Sequence, residues 1–107
     1  FQEFDDRYTA PAHGFTDAAD YYARASCLPV LPAIRVPTLV LNALDDPFLT
    51  TSCHPAAAAE TNPCLLLETP RWGGHVGFIR PGGEYYQETR IADFLSAGVC
   101  AADAVAR

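Results

Sequence analysis

The sequence has few basic residues and no cluster of them: seven of its 107 residues are Lys or Arg, against 13 Asp and Glu. A chain without a basic patch offers no footprint for a phosphate backbone, which excludes nucleic acid as the main partner. The sequence also lacks an uninterrupted apolar run of about 18 residues, the length that a membrane-spanning helix needs. We therefore predict no nucleic-acid partner and no membrane span.

Methionine is absent altogether, and the sequence begins at Phe1. Because a natural reading frame starts with Met, we expect these residues to be part of a longer chain. No basic segment followed by an apolar stretch lies near Phe1, so no secretion signal is recognised in these residues. We accordingly predict a cytoplasmic location.

Closely spaced cysteine pairs are also missing. The four cysteines form no Cys-x-x-Cys motif, which excludes a zinc ribbon and a thioredoxin-like site: they are Cys27, Cys53, Cys64 and Cys100. Each lies in or near apolar sequence, as free buried thiols commonly do. We expect free thiols in a reducing compartment, with a disulfide framework as the alternative.

Half of the residues are hydrophobic and 19% are charged, a composition typical of a globular chain. Residues 1–36 are expected to be a partly helical segment that leads into the core. Within it, Thr16 offers a side chain to cap a helix that runs to about Ser26. The stretch LPVLPAIRVP at 28–37 contains three prolines, so we interpret it as a connector.

Residues 37–107 have the pattern of a βαβα unit. Residues 38–42 and 64–68 are short apolar runs, and the first lacks in/out alternation, as in a strand buried on both faces of a parallel sheet. A short helix over about 54–60 separates them, and apolar spacings of three and four residues predict an amphipathic helix over about 84–97. This order predicts an α/β fold with right-handed crossovers.

Candidate catalytic side chains follow both predicted strands. Asp45 and Asp46 come after the first, and His75 lies after the second in the glycine-rich loop RWGGHVGF. The carboxyl ends of parallel strands emerge at one edge of a sheet, where α/β folds bind ligands. A carboxylate there can orient an imidazole and stabilise its protonated form. The structural alternatives are an ordinary Asp-Asp-Pro turn and a histidine bonded only to backbone.

Five stretches, in this order, span nearly the whole chain from Phe1 to about Leu95: FDDRYTAPAHGF, DYYARAS, IRVPTLVLNALDDPF, GGHVGF and RIADFL. Together they resemble the C-terminal portion of α/β-hydrolases, specifically the YheT-like esterase subfamily. The resemblance implies the last two parallel strands of that fold with flanking helices, and ester hydrolysis by a Ser–Asp–His triad. It matches Asp46 to the triad acid and His75 to the triad base, with Asp45 as the alternative acid.

The serine nucleophile that the resemblance implies is not found in this sequence. Ser26, Ser52 and Ser96 all lie outside any Gly-x-Ser-x-Gly setting, and the oxyanion-hole donors that accompany such an elbow are missing too. We therefore expect the nucleophile in a preceding part of the same domain. The 107 residues alone are predicted to have no esterase activity.

The expected partners are a small-molecule ester, with a medium-length or lipid-like acyl group, and the missing N-terminal part of the domain; no cofactor is expected. Residues 1–26 are similar to family sequence near the substrate-covering region, an analogy that suits an apolar acyl chain. Two alternatives to ester hydrolysis remain. One is acyl transfer to an alcohol on the same fold, and the other is a pseudoenzyme or interaction module without catalysis.

Four further residues receive predictions of their own. His13 is expected at the surface. His54, close in sequence to two cysteines, raises the possibility of a metal site, but without a third correctly spaced ligand we predict none. Trp72 and Phe78 are expected to pack the glycine-rich loop against the sheet, with lining of an acyl pocket as the alternative.

Overall fold

A computed structural model describes residues 1–97, and the part of the chain that precedes the sheet is mostly helical. It contains the short α-helices α1 (Gln2–Phe4) and α2 (Ala10–Ala12), joined by a π-helical turn (Asp5–Thr9). Helix α3 (Ala18–Ala25) follows. A 3₁₀ turn (Leu28–Ala33) then carries the chain toward the sheet, because its prolines cannot continue an α-helix.

Helix α3 is capped by Asp17, so the prediction of Thr16 as the cap is wrong. The Asp17 backbone is extended, and its Oδ1 accepts a hydrogen bond from the Asp20 N–H at 2.8 Å. The Asp20 carboxylate in turn accepts from the Thr16 N–H at 3.0 Å. This reciprocal pair of bonds satisfies the first turn better than a threonine hydroxyl one residue earlier could.

Strands β1 (Thr38–Leu41) and β2 (Leu65–Glu68) form a parallel pair, with first residue opposite first and last opposite last. The pairing continues beyond the strands, since the Asn42 N–H donates to the Glu68 carbonyl and the Leu44 N–H to the Pro70 carbonyl. Both loops therefore leave the sheet at the same level. The predicted α/β fold, with parallel strands and flanking helices, is confirmed.

Two helices flank the strands. Helix α4 (Ala56–Thr61) packs against β2, and α5 (Tyr86–Ala97) packs against β1. Helix α5 is also tied to the end of β2, because the Arg90 guanidinium donates to Glu68 at 2.6 Å. Even α5, at 12 residues, is far too short to cross a bilayer, and no helix within residues 1–97 has the length and hydropathy for that role.

A buried asparagine joins the 3₁₀ turn to the sheet. Asn62 is 5% exposed, and its side-chain amide donates to the carbonyls of Leu31 and Ile34 at 2.9 and 3.1 Å. Its Oδ1 accepts from the Cys64 N–H at 2.9 Å. Every polar atom of this buried amide thus has a partner, as buried polar groups require. The Asn-Pro pair therefore does more than end α4.

The apolar core of residues 1–97 is small and built largely from short side chains: Ala10, Ala18, Leu31, Ala43, Leu65 and Phe78. The prediction that the first strand is buried on both faces is wrong. All of β1 is half-buried, and Leu66 in β2 is 43% exposed. The physical reason is that, within residues 1–97, each strand has a single neighbouring strand, while the flanking helices cover its faces only in part.

Candidate active site

The turn after β1 buries one carboxylate beside the sheet. The Asp46 side chain is 3% exposed, and its Oδ1 accepts a hydrogen bond from the Phe48 N–H at 2.8 Å. An aspartate that bonds to the backbone two residues on is the Asx turn that Asp-Pro sequences favour. The turn thereby fixes the direction of the Asp46 carboxylate.

The other oxygen of that carboxylate faces the imidazole of the glycine-rich loop. Asp46 Oδ2 lies 2.9 Å from His75 Nδ1, although the two residues are 29 positions apart. The His75 side chain is 54% exposed, and its ring packs edge-on against the ring of Phe48 with centroids 4.8 Å apart. Phe48, which sequence reasoning missed as a site residue, thus supports both members of the pair.

The protonation state of this pair follows from the surroundings of Asp46. Burial raises the pKa of its carboxyl, but the hydrogen bonds from the Phe48 N–H and from His75 outweigh burial, so the pKa is lowered overall. An ionised carboxylate can only accept hydrogen bonds, so Nδ1 of His75 carries the proton. The other ring nitrogen, Nε2, makes no hydrogen bond within residues 1–97, so in the neutral ring it is open to accept a proton.

Asp45 points to the loop backbone instead of the imidazole. Its Oδ1 accepts hydrogen bonds from the N–H groups of Gly73 and Gly74, at 2.9 and 2.8 Å. The adjacent aspartates, which the sequence left as alternatives for one role, therefore make different contacts. The structure brings Asp46, and not Asp45, to His75.

The glycine-rich loop is a compact turn closed by its own backbone. The N–H groups of Gly77 and Phe78 both donate to the Gly73 carbonyl. Gly74 has φ +57°, the left-handed region that favours glycine. Phe78 also has a positive φ, of 48°, which is uncommon for a bulky residue. Its ring is buried against Gly73, so packing holds this backbone conformation in place.

A cavity of about 680 Å³ opens beside Asp46 and His75. Most of its lining is apolar, contributed by side chains from β1, the two loops and α5: Leu41, Leu49, Val76, Phe78 and Ile91. None of the three serines lines it. A mainly apolar pocket with a few convergent polar groups is the usual form of a small-molecule site.

Trp72 and Phe78 have different environments, so the joint prediction for them is wrong in part. Phe78 is buried in the loop and also lines the cavity. Trp72 is 68% exposed, with the Arg71 guanidinium 4.9 Å from its ring centroid. With most of its surface open to solvent, it does not pack the loop against the sheet.

The cysteines differ from the prediction of free buried thiols. Cys27 and Cys53 are free but exposed, and both line the cavity beside His75. Contacts with the hydroxyl and backbone of Thr50 lower the pKa of the Cys53 thiol. Cys64 is disulfide-bonded, and Cys100 lies outside the described residues.

The remaining histidines stand apart from the pair. His13 is exposed. His54 has a buried Nδ1 without a hydrogen-bond partner among residues 1–97. In the same part of the chain, no group of three His, Cys, Asp or Glu side chains is arranged to hold a metal ion.

Comparison with curated proteins finds relatives along most of the chain. The chain is 41% identical over 100 residues to the YheT protein of Escherichia coli K12. The matched region covers 89% of this chain and 28% of that relative. It is 39% identical over 95 residues to medium-chain fatty acid ethyl ester synthase/esterase 2 of Saccharomyces cerevisiae, and this match covers 89% of the chain and 21% of the relative. Human phospholipase ABHD3 is 35% identical over 101 residues, and this match covers 92% of the chain and 25% of the relative.

The chain thus spans about a quarter of the length of these relatives. No protein-family model matches it, and no solved structure does. The relatives bear out the resemblance drawn from the sequence motifs, and the parallel strands with flanking helices agree with it. The chain belongs to the α/β-hydrolase family and corresponds to the C-terminal portion of that fold.

Proposed function

We propose that this chain supplies the acid and the base of a Ser–Asp–His triad in a carboxylic ester hydrolase. Asp46 is the acid, His75 is the base, and the serine lies in a part of the hydrolase domain outside residues 1–107. The observation that carries the proposal is the 2.9 Å contact between Asp46 Oδ2 and His75 Nδ1. It is the orienting bond that such a triad needs.

The proposed reaction uses Nε2 of His75 as the proton acceptor and donor. As the serine oxygen attacks the ester carbonyl, Nε2 of His75 accepts the hydroxyl proton. The protonated ring then donates that proton to the departing alcohol, leaving an acyl-enzyme. A water molecule, deprotonated by the same nitrogen, attacks the acyl-enzyme and releases the acid. Asp46 holds the ring in position throughout and balances its positive charge while the ring is protonated.

The surroundings of His75 support an apolar acyl group as the substrate. Its cavity is lined mainly by aliphatic and aromatic side chains, which would bury a hydrocarbon chain and exclude water from the reacting bond. One relative is named for medium-chain fatty acid ethyl esters and another is named a phospholipase. We therefore propose esters of medium-length or longer fatty acids.

A chimera tests the proposal. The segment of the yeast synthase/esterase that aligns with this chain is replaced by this chain, and hydrolysis of p-nitrophenyl octanoate is measured. We expect the chimera to be active and residues 1–107 alone to be inactive, because the nucleophile and oxyanion hole are supplied by the yeast part. Asp46→Asn and His75→Ala should each lower kcat by about three to four orders of magnitude.

The matched controls are exposed residues of the same type, Asp93→Asn and His13→Ala, which should leave kcat unchanged. A folded chimera that is inactive, or one that keeps its kcat after His75→Ala, would contradict the proposal. The first of these outcomes would favour a pseudoenzyme or interaction module.

Acyl transfer to an alcohol is a second candidate, favoured by the name of the yeast relative, which includes ester synthesis as well as hydrolysis. The acyl-enzyme is common to both reactions, and only the final acceptor differs. Product analysis of the chimera in the presence of ethanol separates them. Octanoate as the main product supports hydrolysis, whereas ethyl octanoate supports transfer.

A further inference from the structure

One carboxylate oxygen binds two consecutive amides of the loop that carries His75. Asp45 Oδ1 lies 2.9 Å from the Gly73 nitrogen and 2.8 Å from the Gly74 nitrogen. Neither amide donates to another backbone group within residues 1–97. Hydrogen bonds from N–H groups to an ionised carboxylate are about twice as strong as neutral ones. Asp45 is therefore the main anchor of these two amides.

Gly73 is held on its other side as well. Its carbonyl accepts from the N–H groups of Gly77 and Phe78, at 3.1 and 3.0 Å. A Cβ at this position would lie 2.5 Å from the Phe78 ring and 2.9 Å from Ala43 Cβ. The turn is thus fixed in place at Gly73, and His75 follows two residues later.

The two aspartates contact different parts of the glycine-rich loop. Asp45 holds the backbone just before His75, while Asp46 contacts the His75 ring itself. Asp45 makes no hydrogen bond to the ring. Its contact with the imidazole is therefore indirect, through the backbone between Gly73 and His75.

We propose that Asp45 is a positioning residue, which acts through the amides of Gly73 and Gly74 to hold His75 against Asp46. Its catalytic consequence rests on the proposed function, whereas its effect on the loop does not. Without these bonds the two amides hydrogen-bond to water instead, and the loop adopts other conformations as well. A displacement of the imidazole by about 1 Å is enough to lower a rate by about 10²-fold.

Two substitutions separate this role from that of a triad acid. Asp45→Ala removes the acceptor, whereas Asp45→Asn keeps a side-chain oxygen at the same position and removes the charge. We expect Asp45→Ala to lower kcat of the chimera by about 10²-fold with little change in KM, and Asp45→Asn to restore most of that loss. A triad acid would behave differently, because Asp→Asn at that position costs about 10⁴-fold.

Hydrogen exchange of the chimera provides a readout that does not depend on activity. In Asp45→Ala, exchange at the Gly73 and Gly74 amides should accelerate by about tenfold or more, while exchange in β1 and β2 stays unchanged. Asp93→Ala, an exposed aspartate on α5, is the matched control and should change neither region.

The outcomes are decisive in each direction. Unchanged exchange at the two glycines in Asp45→Ala would overturn the proposal, and so would equal effects of Ala and Asn. Faster exchange throughout β1 and β2 would also overturn it, because Asp45 would then be a general stabilising residue. If the exchange results hold but the wild-type chimera is inactive, the proposed function fails and the positioning of the loop stands.

Discussion

The ring of Phe78 lies against the backbone of Gly73 so closely that a Cβ at residue 73 would be 2.5 Å from Phe78 Cδ1. A Cβ atom essentially never lies this close to a non-bonded heavy atom, so Gly73→Ala must displace either the Phe78 ring or the turn. The Phe78 ring is buried and lines the cavity beside His75. Displacement of either the ring or the turn would therefore change the shape of the candidate site.

We predict that Gly73→Ala lowers kcat of the chimera by at least about tenfold, since displaced reacting groups are costly. Gly14→Ala is the matched control. Gly14 has φ +75°, and a Cβ added there would have no atom within 4 Å. Alanine therefore adds local strain without a clash, at a residue that does not line the cavity. Equal kcat values for the two variants would show that the close approach at Gly73 does not matter for the site.

Asp46 should make the stability of the chain depend on pH in the acidic range. Its pKa is lowered in the folded state, because the hydrogen bonds from Phe48 and His75 outweigh the effect of burial. A carboxyl whose folded pKa is lowered stabilises the fold above its unfolded pKa, near 3.8. That contribution is lost as the pH falls through the folded pKa, at values below 3.8.

Urea unfolding of the wild type and of Asp46→Asn should therefore give free energies whose difference shrinks as the pH falls below about 4. The difference isolates Asp46, since Asp5 and Asp20 are present in both proteins. Their pKa values are also lowered, chiefly by hydrogen bonds from Thr9 and Thr16. Curves that stay parallel down to about pH 2 would contradict the prediction.

Asn62 should contribute to stability rather than to activity. Asn62→Ala removes the bonds that the side-chain amide makes to the carbonyls of Leu31 and Ile34 and to the N–H of Cys64. The two carbonyls keep the Ile34 N–H and the Arg35 guanidinium as donors. Because three hydrogen bonds of a buried side chain are lost, we expect a loss of about 2–3 kcal/mol in the free energy of unfolding.

The measurement is urea unfolding of residues 1–107, with Thr61→Ala as the control. Thr61 is the exposed neighbour, and its hydroxyl bonds only within α4. A loss for Asn62→Ala no larger than that for Thr61→Ala would show that water replaces the missing amide.

Cys53 should react with alkylating reagents faster than an ordinary exposed thiol. Its contacts with Thr50 lower its pKa, so more of the reactive thiolate is present at neutral pH. The rate of reaction with iodoacetamide, followed by mass spectrometry from about pH 6 to 10, should rise with a midpoint below 9.0, the ordinary value for a thiol.

Thr50→Val removes the hydroxyl with little change of shape and should move that midpoint back upward. The competing thiol at Cys27 is distinguished by its own peptide. An unchanged midpoint in Thr50→Val would show that the hydroxyl does not stabilise the thiolate.

The strands and the sheet edge were predictable, because apolar runs, prolines and turn residues act locally and strongly. The roles of Asp45 and Asp46 were not separable from sequence, since neighbouring side chains in a turn point in directions set by backbone torsions that no pattern reveals. The same limit explains the misassigned cap at Thr16. The partial burial of β1 depends on what covers each face, and the exposure of Trp72 depends on the path of one glycine turn.

The level ends of β1 and β2 have a consequence for engineering. Both site loops start from the same height on the sheet, so the length of the crossover between Leu49 and Asn62 does not set the spacing of Asp46 and His75. Segments of other lengths could be grafted into that crossover to add recognition surfaces. By contrast, inserting even one residue between Glu68 and Gly74 would shift the imidazole out of reach of its carboxylate.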